Sequence, residues 1–228
     1  MSQEDVIEGH PLRMLKGDEG LPNGEASLML ARSGDGKSAA LINFALDEML
    51  QGNHVFHFDV GMPSDRVHEY YKNIFGAFAS HYHPDKNATY DDLYNHFTVI
   101  SYQDADRMVA DLDAEIDTLL ANANVKPSLI LVDGVDFCEN TVANIDTLNA
   151  VAAKHGVKML ASLRIHRKSG GELDLDGPRS AIAGKVSHAY WLEPDPEHDR
   201  INLEFLTEEG AEMLSLYFCP HELIFRVK

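Results

Sequence analysis

The sequence Ala31-Arg32-Ser33-Gly34-Asp35-Gly36-Lys37-Ser38 decides the fold, because it joins an apolar run to an amphipathic one. Residues 26–30 read as a buried strand, and residues 39–50 place apolar side chains at helical spacing. A small residue, four further residues and then Gly-Lys-Ser, between a strand and a helix, form the pattern of a P-loop. Backbone N–H groups of such a loop surround phosphates, and the following helix points its positive end at them. The stretch therefore predicts a nucleoside triphosphate site.

Each residue type in this loop has a predicted role. Gly34 and Gly36 let the backbone come close to phosphate, Lys37 would reach the β- and γ-phosphates, and the Ser38 hydroxyl would ligate Mg²⁺. Asp35 is unusual, because it brings a carboxylate into an anion-binding loop. We expect it to point to solvent and to weaken the affinity for a polyphosphate. The predicted nucleotide-binding residues are Ala31, Arg32, Ser33, Gly34, Asp35, Gly36, Lys37, Ser38 and Ala39.

A second element with nucleotide chemistry is the apolar run at residues 129–132, which ends in Asp133. An apolar strand ending in Asp is the Walker B pattern, and its carboxylate would hold Mg²⁺ through water. The predicted metal ligands are therefore Ser38 and Asp133, and the predicted cofactors are ATP and Mg²⁺. Asp136 is a weaker candidate that could cap the following segment.

Strand-like and helix-like segments alternate along most of the chain. Strands are predicted at residues 26–31, 54–58, 97–101, 129–132, 157–162, 189–192, 201–206 and 223–227, and a short helix is predicted to open at Thr207. Near-continuous apolar strands separated by helices indicate an α/β fold with a mostly parallel sheet, and the consecutive strands near the end indicate an antiparallel extension. We predict one domain of 228 residues, with an entry segment at 1–25, a core at 26–192 and a C-terminal β/α extension at 193–228.

The composition limits the partners and the compartment. The chain has 37 acidic and 19 basic residues, for a net charge of -18, so a broad basic face for nucleic acid is disfavoured. No apolar run approaches the roughly 18 residues of a membrane helix, so no membrane contact is expected. The N-terminus is acidic and unlike a signal peptide, and Cys138 and Cys219 form no metal or disulfide pattern. These features favour the cytoplasm.

Several segments together resemble one family of ATPases. The run Leu28-Met29-Leu30 with the loop at 31–38 looks like the P-loop of DnaB-type replicative helicases, which also begins Ala-Arg. Gly20-Leu21-Pro22-Asn23-Gly24-Glu25 resembles the lead-in of the RecA, KaiC and DnaB families, and Phe56-His57-Phe58-Asp59-Val60-Gly61-Met62 resembles the end of their second strand. Residues 159–167 lie where these families carry the sensor strand, and residues 180–192 resemble the segment that leads to the next strand. The resemblance covers about residues 17 to 206 and implies a RecA-like three-layer sandwich.

The departures from this family concern catalysis. The resemblance puts Gly61 where a glutamate polarises the attacking water, and glycine has no side chain for that role. Asp59, two residues earlier on the same strand face, is the candidate substitute. Arg164 holds the sensor position, usually Gln, and could stabilise charge at a γ-phosphate. Residues 193–200 replace the hairpin with the Lys-x-Arg finger offered to a neighbouring subunit, and only Arg200 remains.

A basic cluster and a histidine-rich stretch are further candidate sites. Arg167, Lys168 and Arg179, with Arg164, flank a Gly-rich loop, and they are either solvated charges or contacts for phosphate or a partner. His81-Tyr82-His83 with Asp85 could bind a metal, but no further ligands have a telling spacing.

These observations favour a protein that binds ATP with Mg²⁺, hydrolyses it weakly or not at all, and acts as a nucleotide-gated regulatory or assembly factor. A protein partner or self-association is expected. One alternative is an active DNA-dependent ATPase, helicase- or recombinase-like, with Asp59 as the base. Another is a small-molecule or nucleotide kinase, with Asp59 orienting the acceptor and residues 164–179 as a lid. A third is an interaction protein that binds no nucleotide.

Overall fold

Within the residues described, the computed structural model has one nine-stranded sheet with helices packed on it. The structure describes residues 10–15, 19–82, 89–123, 125–136, 141–165, 182–206 and 210–228. The strands are β1 (Ala26–Ala31), β2 (His54–Val60), β3 (Phe97–Tyr102), β4 (Pro127–Asp136), β5 (Lys158–Arg164), β6 (Ala189–Asp195), β7 (Arg200–Leu206), β8 (Ala211–Cys219) and β9 (Ile224–Val227). The helices are α1 (Lys37–Leu50), α2 (Ser64–Tyr82), α3 (Tyr90–Tyr94), α4 (Ala105–Ala123) and α5 (Thr141–His155).

The sheet has the order β3-β2-β4-β5-β1-β6-β7-β8-β9. Pairing is parallel from β3 across to β6, and antiparallel from β6 to β9. The predicted α/β class, with a mostly parallel sheet and an antiparallel C-terminal extension, is thus confirmed. The order puts β5 between the strand that enters the predicted P-loop, β1, and the strand that carries Asp133, β4.

The extension differs from the prediction in one element. A short helix was expected to open at Thr207, whereas Ala211–Cys219 is strand β8. Leu214, Leu216 and Phe218 are buried on alternate positions, which is the period of a strand. Pairing with β7 on one side and β9 on the other overrides the local helical preference. Thr207 itself lies outside the described residues.

The parallel strands are covered on both faces. One apolar cluster joins the sheet to α1 and α2, and it includes Leu41, Phe78 and Leu131. The other joins the opposite face to α4 and α5, through residues such as Leu112 and Leu148. β1 is therefore buried along its whole length, and β2 and β5 are buried except at their end residues, which explains their near-continuous apolar sequences. None of the described helices is long and apolar enough to cross a membrane.

The antiparallel extension is attached to α1 by a buried amide. Asn43 is fully buried, and its Nδ2 donates to the Ala39 carbonyl at 2.7 Å and to the Leu223 carbonyl at 2.9 Å. Its Oδ1 accepts from the Phe225 backbone N–H at 3.3 Å. The Tyr82 hydroxyl, at the end of α2, donates to the Phe225 carbonyl at 2.8 Å. The β8–β9 hairpin is thus held against the helix that follows the predicted P-loop.

Candidate functional site

The predicted P-loop connects β1 to α1 without a side-chain cap. β1 ends at Ala31, α1 begins at Lys37, and Gly36 is the N-cap residue with a φ of 83°. Because Gly36 has no side chain, the first turn of α1 lacks a side-chain cap at this position. The backbone N–H groups at a helix start need partners, and an anion can supply them. The local backbone is therefore suited to phosphate.

Gly36 is also the point at which the C-terminal extension meets the loop. A Cβ added to Gly36 would lie 2.6 Å from Cε1 of Phe218, which is fully buried in β8. Phe218 packs edge-on against Phe225 of β9, with ring centroids 5.4 Å apart. Only glycine fits here, because both the positive φ and the close ring exclude a side chain. The loop conformation therefore depends on the position of β8.

The charged side chains of the loop contact the loop itself. Lys37 Nζ donates to the Arg32 carbonyl at 2.9 Å and to the Ala31 carbonyl at 3.4 Å. Arg32 Nε donates to Asp35 Oδ2 at 2.6 Å. The Asp35 side chain is only 17% exposed, so the expectation that it points to solvent is wrong. Its pairing with Arg32 offsets the negative charge that an incoming phosphate would meet.

A cavity of about 900 Å³ opens in front of this loop. Its volume falls in the roughly 300–1,000 Å³ range of small-molecule and cofactor sites. The loop, the ends of β2, β4 and β5, one side of α2 and the β8–β9 turn enclose it. The lining residues are Ser33, Gly34, Gly36, Lys37, Ser38, Val60, Met62, Arg66, Glu69, Tyr70, Asn73, Asp133, Gly134, Val135, Ser162, Arg164 and Leu223.

Asp133 lies on the floor of this cavity in a bulge of β4. The pairing with β5 moves from Val132–Ala161 to Val135–Leu163, so β4 has one extra residue at this point. Asp133 Oδ1 accepts from Ser162 Oγ at 2.5 Å and from the Gly134 N–H at 2.9 Å. Its Oδ2 is buried and makes no hydrogen bond within the described structure. One carboxylate oxygen is therefore held in place, and the other has no hydrogen-bond partner among the described residues.

The predicted magnesium ligands, Ser38 and Asp133, line the same cavity. A hydroxyl and a carboxylate are the hard oxygen donors that Mg²⁺ prefers. The unpartnered Oδ2 of Asp133 is the kind of buried acceptor that a cation satisfies. The residues present thus fit Mg²⁺ together with a bound phosphate.

Asp59 and Gly61 have conformations that bear on hydrolysis. Asp59 is 4% exposed, and its Oδ1 accepts from the Met62 backbone N–H at 2.8 Å. Burial and the neighbouring Asp133 carboxylate raise the pKa of Asp59 to about 6, although the hydrogen bond from Met62 lowers it. Gly61 has a φ of 93°, in the left-handed region. Asp59 is not among the cavity-lining residues, whereas Val60 and Met62 are. Its carboxylate supports the turn after β2.

Sequence reasoning missed the grouping of His57 with the two aspartates. Ligand atoms of His57, Asp59 and Asp133 all lie within 4.8 Å of one another. His57 Nδ1 is 3.0 Å from the Tyr71 hydroxyl, and its Nε2 is buried without a hydrogen-bond partner. Burial, above all, lowers the pKa of His57 to about 4, although Asp133 raises it. The signal in the sequence was the alternation His57-x-Asp59, which puts both side chains on one face of β2.

The sequence also did not reveal Ser162 or the polar side of α2 that faces the cavity. Arg66, Glu69, Tyr70 and Asn73 line it, and Arg66 Nη1 pairs with Glu69 at 2.8 Å. Their spacing follows the turns of α2, but only the packing of α2 beside the loop aims them at the cavity. Ser162 is a small polar residue in an apolar strand, and this was the available signal.

The predicted basic cluster falls mostly outside the described residues. Arg167, Lys168 and Arg179 lie in the segment 166–181, as His83 and Asp85 lie in the segment 83–88. Arg164 is described: it ends β5, stands beside Ala31 in the sheet, and lines the cavity. The predicted sensor residue Arg164 is therefore at the cavity, and the phosphate or partner contacts of Arg167, Lys168 and Arg179 remain predictions.

Arg200, the one arginine present where the resemblance places a finger, contacts the neighbouring strands β6 and β8. Its Nε donates to Asp195 Oδ2 at 3.1 Å, and its guanidinium lies 5.6 Å from the centre of the Tyr217 ring. The cation is thus held on the antiparallel extension by β6 and β8.

No model of a known protein family matches the chain, and no curated protein matches it. The function must therefore be argued from the residues of the cavity and from the chemistry they permit.

Proposed function

We propose that this chain binds ATP with Mg²⁺ in the cavity at the end of β1, hydrolyses it weakly or not at all, and acts as a nucleotide-gated regulatory or assembly factor. The observation that carries the proposal is the convergence on one cavity of the uncapped start of α1, Lys37, Ser38 and Asp133. Backbone N–H groups, an ammonium, a hydroxyl and a carboxylate are the parts of a magnesium–triphosphate site. A RecA-like core is the fold that we propose for it.

Lys37 supports a gating role. Its ammonium contacts the carbonyls of Ala31 and Arg32, and these contacts are exchanged for phosphate oxygens when a triphosphate binds. Charge-assisted bonds to phosphate are stronger than bonds to neutral carbonyls. The loop meets β8 through Gly36 and Phe218, so a change in loop conformation reaches the antiparallel extension. We propose that a protein partner, or a second copy of this chain, recognises this change.

Weak hydrolysis is inferred from the end of β2. Gly61 has no side chain, and its left-handed φ disfavours any residue that has one. Asp59 is buried and occupied by the Met62 N–H, so it is poorly suited to activate a water in the cavity. Loss of a positioned catalytic group typically lowers the rate about 10²–10⁴-fold. Binding without rapid turnover follows.

The test is calorimetric titration of the full chain with ATP and Mg²⁺, combined with a turnover assay. Lys37→Ala is expected to abolish measurable binding, while Lys72→Ala, at an exposed position on α2, binds like wild type. Absence of ATP binding by the wild-type chain would overturn the whole proposal. Rapid hydrolysis that disappears in Lys37→Ala would overturn the regulatory part. Stimulation of turnover by single-stranded DNA would instead favour the DNA-dependent ATPase.

A kinase is the second candidate, because the cavity extends beyond the loop to a polar wall. Arg66, Tyr70 and Asn73 of α2 offer hydrogen bonds that a triphosphate alone does not require. An acceptor hydroxyl bound there would share the cavity with the phosphates. A screen of nucleosides and small metabolites with labelled ATP tests this candidate. A phosphorylated product that Asn73→Ala reduces would support it, and the absence of any product would remove it.

A further inference from the structure

We propose that His57, Asp59 and Asp133 form a binding site for a divalent first-row transition cation such as Zn²⁺ or Co²⁺. This site is additional to the proposed magnesium–triphosphate site, with which it shares only Asp133. The three side chains come from two adjacent parallel strands, β2 and β4. Their ligand atoms already lie within 4.8 Å of one another.

The strands hold the three side chains in place. His57 and Asp59 are two residues apart, so both point to the face of the sheet that α2 covers. Asp133 is the register partner of Asp59 on β4. Ligands on neighbouring buried strands are positioned more precisely than ligands on loops. Only small side-chain movements are needed to bring a nitrogen and two oxygens to the roughly 2.0–2.2 Å of zinc coordination.

Two unpartnered buried atoms point to a ligand. His57 is 1% exposed and Asp133 is 3% exposed, and neither His57 Nε2 nor Asp133 Oδ2 makes a hydrogen bond within the described structure. Buried polar atoms are almost always paired in proteins, and an absent ion is a recognised reason for an exception. A cation between His57 and Asp133 would give both atoms a partner.

The surroundings also match those of a metal centre. A histidine that binds a metal donates its second ring N–H to a fixed acceptor, and His57 Nδ1 lies 3.0 Å from the buried Tyr71 hydroxyl. Asp59 accepts from Met62 N–H, and Asp133 accepts from Ser162. Each proposed ligand is therefore oriented by a neighbour.

The donor set selects the class of cation. One imidazole and two carboxylates suit Zn²⁺, Co²⁺ or Mn²⁺, whereas Mg²⁺ is bound through oxygen alone. Three protein ligands leave a fourth position of a tetrahedral ion open. Asp133 lines the cavity, so this open position is near the space proposed for the nucleotide.

The test is titration of the full, nucleotide-free chain with Co²⁺, followed by visible absorption, and competition by Zn²⁺. His57→Asn removes Nε2 and leaves an amide beside Tyr71. We expect at least the roughly 10–100-fold loss of affinity that is typical when even a second-shell partner is lost. His155→Asn is the matched control, because Asp113, Asp117 and His155 form another acidic and histidine group at the surface. This control is expected to keep the wild-type affinity.

The proposal is overturned if the wild type does not bind Co²⁺, or if His57→Asn binds it as tightly as the wild type does. It is also overturned if only His155→Asn loses Co²⁺ affinity. If His57→Asn does not fold, X-ray absorption of the zinc-loaded wild type decides. One imidazole with oxygen neighbours supports the site, and sulfur or several imidazoles refute it. Ser38→Ala separates the two proposals, because it removes a magnesium ligand and leaves Co²⁺ binding intact. Co²⁺ binding without ATP binding would leave this site standing and remove the proposed function.

Discussion

Replacement of Gly36 by alanine tests whether the C-terminal extension controls the predicted P-loop. The new Cβ would lie 2.6 Å from Cε1 of Phe218 and 3.2 Å from its Cζ. The ring cannot rotate away freely, because it is fully buried and packs against Phe225. We therefore expect β8 and the loop to move apart, with loss of both stability and nucleotide affinity.

The free energy of unfolding is expected to fall for two separate reasons. A left-handed φ of 83° costs a residue with a Cβ about 1–2 kcal/mol. Overpacking against Phe218 costs a further amount of about 1–3 kcal/mol. Gly36→Ala should therefore lose about 2–5 kcal/mol. Gly34→Ala is the matched control: its φ is 90°, but an added Cβ has no atom within 4 Å, so only the conformational cost applies.

A double-mutant cycle in urea separates these two costs. Phe218→Leu removes the ring that the new Cβ would meet, so it should recover about 1–3 kcal/mol in the Gly36→Ala background. The same change in the Gly34→Ala background should be additive within about 0.5 kcal/mol. The reasoning would be refuted by a coupling energy between positions 36 and 218 of less than about 0.5 kcal/mol. It would also be refuted by an equal coupling energy between positions 34 and 218.

Three further perturbations test other parts of the structure. The pKa of Asp59 is about 6 in the folded chain, which is above its unfolded value. Its ionisation therefore lowers the free energy of unfolding as pH rises from about 4 through 6. The urea midpoint should change less over this pH range for Asp59→Asn than for the wild type. Asn43→Ala leaves backbone groups of the β8–β9 hairpin unpaired and should cost about 1–3 kcal/mol in urea unfolding, whereas the exposed Asn95→Ala should cost nothing measurable. Ser162→Ala removes the hydrogen bond that holds Asp133 Oδ1 and should weaken the proposed binding of Mg²⁺–ATP, measured by calorimetry, about 10–100-fold; equal affinity with the exposed control Ser80→Ala would contradict this role.

Much of the parallel core was predictable because its signals are local. The strands at 26–31 and 54–58 were recognised from apolar runs, and the helix over residues 39–50 from the helical spacing of its apolar side chains. The helix expected to open at Thr207 is wrong over residues 211–219, because that stretch pairs as a strand with its neighbours in the chain, β7 and β9, on both sides. Residue propensity alone does not represent the pairing of one strand with another.

The candidate site also combines features that the sequence predicted with features that it did not. The loop from Ala31 to Ala39 and the apolar run before Asp133 are contiguous in the sequence, so spacing alone predicted them as candidates, although β4 continues past Asp133 to Asp136. Asp35 was misjudged, because its pairing with Arg32 depends on the turn of the loop rather than on the order of residues. Ser162 and His57 lie on different strands from Asp133, and no linear spacing relates them to it.

The amino-acid sequence by itself determined the alternation of strands and helices, the P-loop-like pattern at residues 31–38 and the glycine at position 61. These depend on side-chain period, backbone freedom and the presence or absence of a functional group. Only the tertiary structure decided that Phe218 lies against Gly36, and that His57, Asp59 and Asp133 meet beside the cavity. The physical reason is that sheet order and register bring together residues that are far apart in the chain, and these are set by packing of the whole sheet.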